Sequence, residues 1–285
     1  MIATVRRRPQ MFVFCHHKVG TVLFANVLFK LARHFGMVGI TQLGRITEID
    51  RSIDIVIFAH SILDLDLDAY DYRGIHIVRD PRDVWVSSYL YHRRCPEPWC
   101  TNTDSDPSPP IVFPRVPASQ EHRPEAWKRA YLAALGARSY QQNLNALPRA
   151  DGLRFELERY TSWTLEAMAN WVPRPGRILE MPLEDFAGNY DVTMTRALAH
   201  LGFPQAVLPT ALAIAATEDV GRMSNQDLAA NPHIYSRKLS KWPEFLDAVQ
   251  VREFEARYGD LIERLGYRRA SDPAHHAGAG TERAG

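Results

Sequence analysis

Gly74-Ile75-His76-Ile77-Val78-Arg79-Asp80-Pro81-Arg82-Asp83-Val84-Trp85-Val86-Ser87-Ser88-Tyr89 runs from an apolar stretch through a charged turn into a mixed helical pattern. Ile75 to Val78 has the length and β-branched character of a buried strand. Asp80 is placed to cap a helix N-terminus, and Pro81 suits the first helical position. Asp83 lies three residues on, as in a capping box with Asp standing in for Glu. The helix then carries Val84, Ser87, Ser88 and Tyr91 on one face. Arg79 therefore falls at the C-terminal end of a strand, the edge at which open α/β sheets bind ligands. The competing reading is a solvated turn in which Arg79, Asp80, Arg82 and Asp83 pair among themselves.

The same grammar occurs earlier. Met11-Phe12-Val13-Phe14-Cys15 is a compact apolar run, and Thr21 to Phe35 reads as a helix apolar nearly all round. Such a helix is packed on more than one side. Between them lies His16-His17-Lys18-Val19-Gly20-Thr21. Gly20 lets backbone approach a ligand, Thr21 offers a hydroxyl at the helix start, and Lys18 supplies a point charge. A helix N-terminus with a cation beside it is an anion site. The pattern departs from the nucleotide-triphosphatase loop, which needs two glycines with the Lys after the second. Here Lys18 precedes the only Gly of the loop.

Taken together, Lys18-Val19-Gly20-Thr21 and Arg79-Asp80-Pro81-Arg82-Asp83-Val84-Trp85-Val86-Ser87-Ser88-Tyr89 resemble the PAPS-dependent sulfotransferases of the cytosolic-type and bacterial branch. PAPS is 3′-phosphoadenosine 5′-phosphosulfate. The resemblance implies that the first loop, with His17, Lys18, Val19, Gly20 and Thr21, holds the 5′-phosphosulfate. It implies that Arg79 and Ser87 hold the 3′-phosphate. Ile55-Val56-Ile57-Phe58-Ala59-His60 resembles the strand that ends in the family's catalytic base, with Ala59 in place of Thr, which makes His60 the candidate base. Ser236-Arg237-Lys238-Leu239-Ser240-Lys241-Trp242 resembles the loop that closes over the 3′-phosphate, and assigns Arg237 and Lys238 to it. Leu239 stands where Gly is usual, and Lys241 where Gly or Asp tends to lie. Thr217 is assigned to the nucleotide site on the same resemblance. The likeness spans about residues 11 to 267 and is poorest in the middle.

Composition agrees with an enzyme of this kind. At 285 residues and 46% hydrophobic, the chain can bury one large core, and it reads as a single α/β domain over 1–268, with a central parallel sheet flanked by helices. A net charge of +1 implies no general attraction to nucleic acid or to anionic membranes. No apolar run approaches the roughly 20 residues of a membrane span. Arg6-Arg7-Arg8 precedes too short an apolar run for a signal peptide. The expected location is the cytoplasm, a compartment that suits three cysteines. Cys95 and Cys100 make a poor zinc site, and they read as loop thiols open to reversible pairing. A homodimer is left open.

Residues 93 to 124 hold eight of the 19 prolines, a density expected to exclude helix and central strand. The segment reads as an acceptor lid, with Trp99, Ile111, Val112 and Phe113 facing an apolar acceptor, or as a surface excursion. Further on, a helix is expected from Pro124 to about Asn145, and another over 153–171. A strand is expected at Arg177 to Met181, and helices at Tyr190 to Leu201 and Pro243 to Leu265. The terminal helix would turn Phe245, Leu246, Val249, Phe254, Tyr258, Leu261 and Leu265 inward. Residues 269–285 read as a disordered tail, and His275-His276 within it as no metal site.

The chemistry implied is in-line sulfuryl transfer, in which positioning and electrostatics do most of the catalysis. Lys18 would neutralise the leaving phosphate, and His60 would take the proton of a hydroxyl acceptor. No metal is expected: a sulfuryl group carries less charge than a phosphoryl group, and no carboxylate pair lies beside the loop. The product nucleotide is PAP. Two other readings share parts of this pattern: a P-loop-type kinase, and a non-catalytic nucleotide-binding module. The acceptor expected is a small molecule or a glycan with a free hydroxyl.

Overall fold

The computed structural model describes residues 8–104, 106–231 and 233–272. In chain order the first elements are β1 (Gln10–Phe14), α1 (Thr21–Phe35), β2 (Gly39–Gln42), β3 (Arg45–Ile46), β4 (Ile55–Phe58), β5 (Ile62–Leu63) and β6 (Tyr72–Val78). Next come α2 (Pro81–His92), α3 (Pro98–Thr101), α4 (Glu125–Ala133), α5 (Tyr140–Ala146), α6 (Arg149–Glu156) and α7 (Ser162–Ala169). The chain then forms β7 (Ile178–Pro182), α8 (Leu183–Gly188), α9 (Tyr190–Leu201), α10 (Leu208–Ala215), α11 (Asn225–Ala230), α12 (Trp242–Phe245) and α13 (Ala248–Arg264). Two compact units contain them: residues 8–16, 20–77 and 172–223 in one, and 17–19, 78–171 and 224–272 in the other.

The first unit holds the expected parallel sheet, in the order β2-β4-β1-β6-β7. Phe14 of β1 lies opposite Phe58 of β4 on one side and His76 of β6 on the other. A small parallel pair, β3 with β5, stands apart. The central strands β1, β4 and β6 are largely buried, and their side chains make an aromatic stack. Phe14 and Phe58 lie face to face at 4.8 Å, Phe12 meets Phe58 edge-on at 5.4 Å, and Tyr72 stacks on Phe12 at 4.7 Å. Gly74 is required there, since a Cβ at that position would come within 3.0 Å of the Phe14 ring. Helix α1 covers the sheet with Phe24, Val27, Leu28 and Leu31. It begins and ends where the sequence places it.

The second unit is built on α2, every residue of which is buried. Trp85 stacks on Phe254 of α13 at 5.2 Å and donates its Nε1–H to the Leu153 carbonyl at 2.7 Å. Asp80 caps α2 as expected, by accepting from the Arg82 amide. Asp83 does not complete a capping box. Its carboxylate instead accepts from the backbone of Lys241 and Trp242, at 2.6 and 3.0 Å.

Several expected helices are divided. The one expected over 124–145 breaks into α4 and α5, where Gly136 takes a left-handed conformation and Ser139 starts a new helix with a capping box of its own. The one over 153–171 contains a π-helical turn, Leu157–Thr161. The terminal helix breaks at Leu246, and Asp247 caps α13. Val249, expected inside, is 49% exposed because it follows that new cap.

The proline-rich segment does form a helical turn, α3, with Pro98 at its first position where the missing N–H costs nothing. Trp99, Ile111 and Val116 are buried, whereas Val112 and Phe113 are exposed. Near the C-terminus, Arg269 bonds Glu263 and Asp260, and the Ala270 amide donates to Glu255. The first residues of the expected tail are therefore tied down. Residues 1–7, including Arg6 and Arg7, and residues 273–285, including His275 and His276, lie outside the described residues. No described helix is long and apolar enough to cross a membrane.

Candidate functional site

In the second unit, the strand-to-helix turn and the segment before α12 bring cations together. Lys18 takes a left-handed conformation with φ +60°, unusual for a residue with a Cβ. Its ammonium lies 4.1 Å from the centre of the Tyr91 ring and donates to the His233 carbonyl at 3.1 Å. Arg79 is 3% exposed. It donates one N–H to the Lys18 carbonyl at 3.0 Å and another to the Leu239 carbonyl at 2.9 Å. Its Nε is buried without a hydrogen-bond partner among the described residues. Arg94 donates to the Ile234 carbonyl at 2.9 Å, and Lys241 to the Lys238 carbonyl.

These four cations repel one another. Burial pushes the Lys18 ammonium down to about 7, and the charges of Arg79, Arg94 and Lys241 act in the same direction against a weaker pull from Glu97. Lys241 is pushed down to about 8 by burial and then by Arg79. The carboxylates nearby do not neutralise the group. Glu97 is engaged by the Tyr91 hydroxyl and the Trp99 indole. Burial raises the Asp83 carboxyl to about 6, and its Oδ1 is taken up by the Lys241 and Trp242 amides. Cations gathered this way, hydrogen-bonded to backbone carbonyls among the described residues, have the charge pattern that suits a polyvalent anion.

Other side chains of the same unit have different placements. Ser87 is buried on α2. Arg237 and Lys238 are exposed and turned to Asn225 and Glu244. His17 is ring-packed, stacked on His92 at 4.8 Å and edge-on to Tyr160 at 4.7 Å. His92 is in turn held by the buried Glu156 at 2.9 Å. The Cys95 and Cys100 side chains are free thiols joined by a hydrogen bond.

In the first unit, Gly20 takes φ +83° at the N-cap of α1. An added Cβ would meet Leu183 at 3.2 Å, so both the backbone and the space call for glycine. The Thr21 hydroxyl donates to the His16 carbonyl at 3.4 Å. Thr217 accepts from Lys30 at 2.7 Å and donates to the Ile214 carbonyl. His60 follows β4, and its Nδ1 accepts from the Gly44 amide at 3.0 Å. With Nδ1 so engaged, the neutral ring carries its proton on Nε2.

The strand order also sets up a row of titratable groups. His16 follows β1, His76 lies on β6 and Glu180 on β7, three neighbouring strands. His16 Nε2 is 2.9 Å from His76 Nε2, and His76 Nδ1 is 2.8 Å from Glu180 Oε1.

Sequence reasoning missed Lys241, Arg94, Tyr91 and the structural role of Asp83. Lys241 could have been found, because it stands as a cation where the resemblance leads one to expect Gly or Asp. Arg94 carries no local signal, since it joins the cluster only by the packing of residues distant in sequence.

The chain matches no protein-family model and no curated protein. Among solved structures it is similar to mouse sulfotransferase SULT7A1 complexed with PAP, at 13% identity and TM-score 0.47, covering 90% of this chain and 84% of that one. It is similar to retinol dehydratase in complex with androsterone and the inactive cofactor PAP, at 12% identity and TM-score 0.44, covering 90% and 82%. The same enzyme in complex with retinol and PAP gives the same values. Identity of this order assigns no role to any side chain, and those roles rest on the geometry of the side chains themselves.

Proposed function

We propose that this chain is a cytoplasmic sulfotransferase that takes the sulfuryl group from PAPS and passes it to a hydroxyl acceptor, releasing PAP. The observation that carries the reading is the four-cation cluster of Lys18, Arg79, Arg94 and Lys241, with the Arg79 Nε buried and unpaired. PAPS brings phosphate charge at both ends of its ribose, which such a cluster is suited to hold. Arg79, with Ser87 on the following helix, takes the 3′-phosphate. Lys18 takes the bridging oxygen and the leaving 5′-phosphate, aided by Gly20 and Thr21 at the start of α1. Arg237 and Lys238 join the nucleotide by leaving Asn225 and Glu244, and no metal is needed to balance the charge. His60 meets the acceptor hydroxyl. The exposed Val112 and Phe113 serve as the acceptor-facing tip of the 93–124 segment.

Sulfuryl transfer asks for an electrophile held in line and a leaving group stabilised as charge develops on it. The pre-assembled cations do the second without reorganisation. The test is direct. The chain is incubated with PAPS and a metabolite extract, and products carrying an added sulfo group are sought by mass spectrometry. Formation of such a product together with PAP supports the reading. PAPS left intact by the chain, with every acceptor fraction, rejects it.

A further inference from the structure

We propose that Tyr91 and Glu97 are positioning residues for Lys18. The Tyr91 ring carries the ammonium on its face, and Glu97 pins that ring by its hydroxyl, so Lys18 is held in place without being consumed in an ion pair. The task given to Lys18 rests on the sulfotransferase reading, in which it meets the bridging oxygen and the leaving phosphate.

The contacts form one chain within the second unit. The Lys18 ammonium lies 4.1 Å from the centre of the Tyr91 ring, within the range at which a ring face attracts a cation. Tyr91 is 3% exposed on α2, and its hydroxyl donates to Glu97 Oε1 at 2.5 Å. The other Glu97 oxygen accepts from the Trp99 indole N–H. Trp99 stacks in turn on Tyr160 at 5.1 Å, so the chain ends in buried aromatic packing. His233 stacks on Tyr91 at 5.0 Å, and its carbonyl accepts from Lys18. One ring therefore touches both the cation and the residue whose carbonyl takes one of its N–H groups.

The surrounding charges explain why a ring suits this place. Arg79 after β6, Arg94 after α2 and Lys241 ahead of α12 repel the ammonium, His233 lies beside it after α11, and Glu97, ahead of α3, pulls the other way. A carboxylate in direct contact would balance Lys18, but it would also occupy the N–H groups that a phosphate needs. Glu97 instead spends its two oxygens on Tyr91 and Trp99, and its charge reaches Lys18 across the ring. Burial, then the bond to Glu97, keep the Tyr91 phenol well above its ordinary value. The ring is thus a neutral donor to Glu97 and does not pair with Lys18 as a phenolate.

Two measurements test this. The first titrates Lys18 in the full chain through the ¹³Cε shift of labelled lysine, assigned by its loss in Lys18→Met, and needs no nucleotide. Tyr91→Leu removes the ring, Tyr91→Phe keeps it, and Glu97→Gln removes the charge. Lys18 should bind its proton about threefold or more weakly in Tyr91→Leu. It should also bind it more weakly in Glu97→Gln, and Tyr91→Phe should lie closer to the unaltered chain than Tyr91→Leu does. An unchanged midpoint in Glu97→Gln overturns the proposal, as does an equal loss in the Phe and Leu variants. If Tyr91→Leu does not fold, Glu97→Gln decides. The second measurement reads PAP released from PAPS, with 4-nitrophenol as acceptor probe. Lys18 is charged below its midpoint, so a weaker hold on the proton moves the alkaline fall of kcat/KM for PAPS to lower pH in Glu97→Gln. A profile that does not move overturns the proposal. If the unaltered chain releases no PAP from PAPS, the sulfotransferase reading fails, and the titration alone decides whether Tyr91 and Glu97 hold Lys18.

Discussion

The cation cluster and the histidine row are both rich in charge-bearing groups, yet they are built in opposite ways. The cluster gathers Lys18, Arg79, Arg94 and Lys241, and burial together with the neighbouring cations pushes Lys18 and Lys241 toward the neutral form against a weaker pull from Glu97 and Asp83. The row pairs each group with the next, from Glu180 to His76 to His16, and stays balanced. Uncompensated charge is costly inside a protein and persists where a ligand completes it. In the row each side chain is hydrogen-bonded to the next, so its groups are held without a ligand.

The largest effect that would break this contrast comes from Arg79→Ala. It should weaken PAP by about 2–5 kcal/mol, the usual cost of removing one partner of a buried, charge-assisted contact. AMP should be much less affected, and calorimetry with both nucleotides separates the two. Next comes Asp83→Ala, which leaves the buried Lys241 and Trp242 amides unpaired. It should lower unfolding stability by about 1–3 kcal/mol for each amide that finds no new partner. Denaturant titration reads that loss, and PAP affinity should fall with it as the segment carrying Lys241 loosens.

Lys18→Met sharpens the comparison through its sign. The folded Lys18 sits at about 7 against 10.5 when unfolded, so between those values the unfolded chain holds a proton that the folded chain has lost. Stability therefore rises with pH across that window, and the full penalty is present below it. Lys18→Met should raise the Tm most at pH 6, with the advantage shrinking by pH 9, while PAP binding weakens. A Tm difference independent of pH would mean that the cluster is not strained by its own charge. The smallest effect is expected at Phe113→Ala. The ring is 43% exposed, so stability should change by no more than about 0.5 kcal/mol. PAP affinity should hold, and only the KM for an apolar acceptor should move.

How much of this could be read in advance depends on the range of the signal. Helices α1 and α9 begin and end where expected, because Gly20, Gly36 and Gly202 take the left-handed conformations that mark helix termini. The Asp80-Pro81 start of α2 was equally local. Asp83 was misread because its partners, Lys241 and Trp242, lie 158 and 159 residues away. Strand β2 went unseen since Gly39-Ile40-Thr41-Gln42 has no alternating pattern and forms only against β4. The breaks in the long helices were missed because apolar spacing continues through them, while Gly136 and Asp247 interrupt the backbone locally. At the site, Lys18 and Arg79 were found by motif. Lys241 and Arg94 joined them only through tertiary packing, and the His16–His76–Glu180 row needed the strand order β1-β6-β7 to become visible.

The most direct test of the central claim is calorimetry of the unaltered chain with PAP and with AMP, at neutral pH and without added metal. The account predicts that PAP binds far more tightly than AMP. It also predicts that binding takes up protons as Lys18 regains its charge beside the anion, seen as a heat that varies with the ionisation enthalpy of the buffer. Equal affinity for the two nucleotides, with no proton uptake, would contradict it.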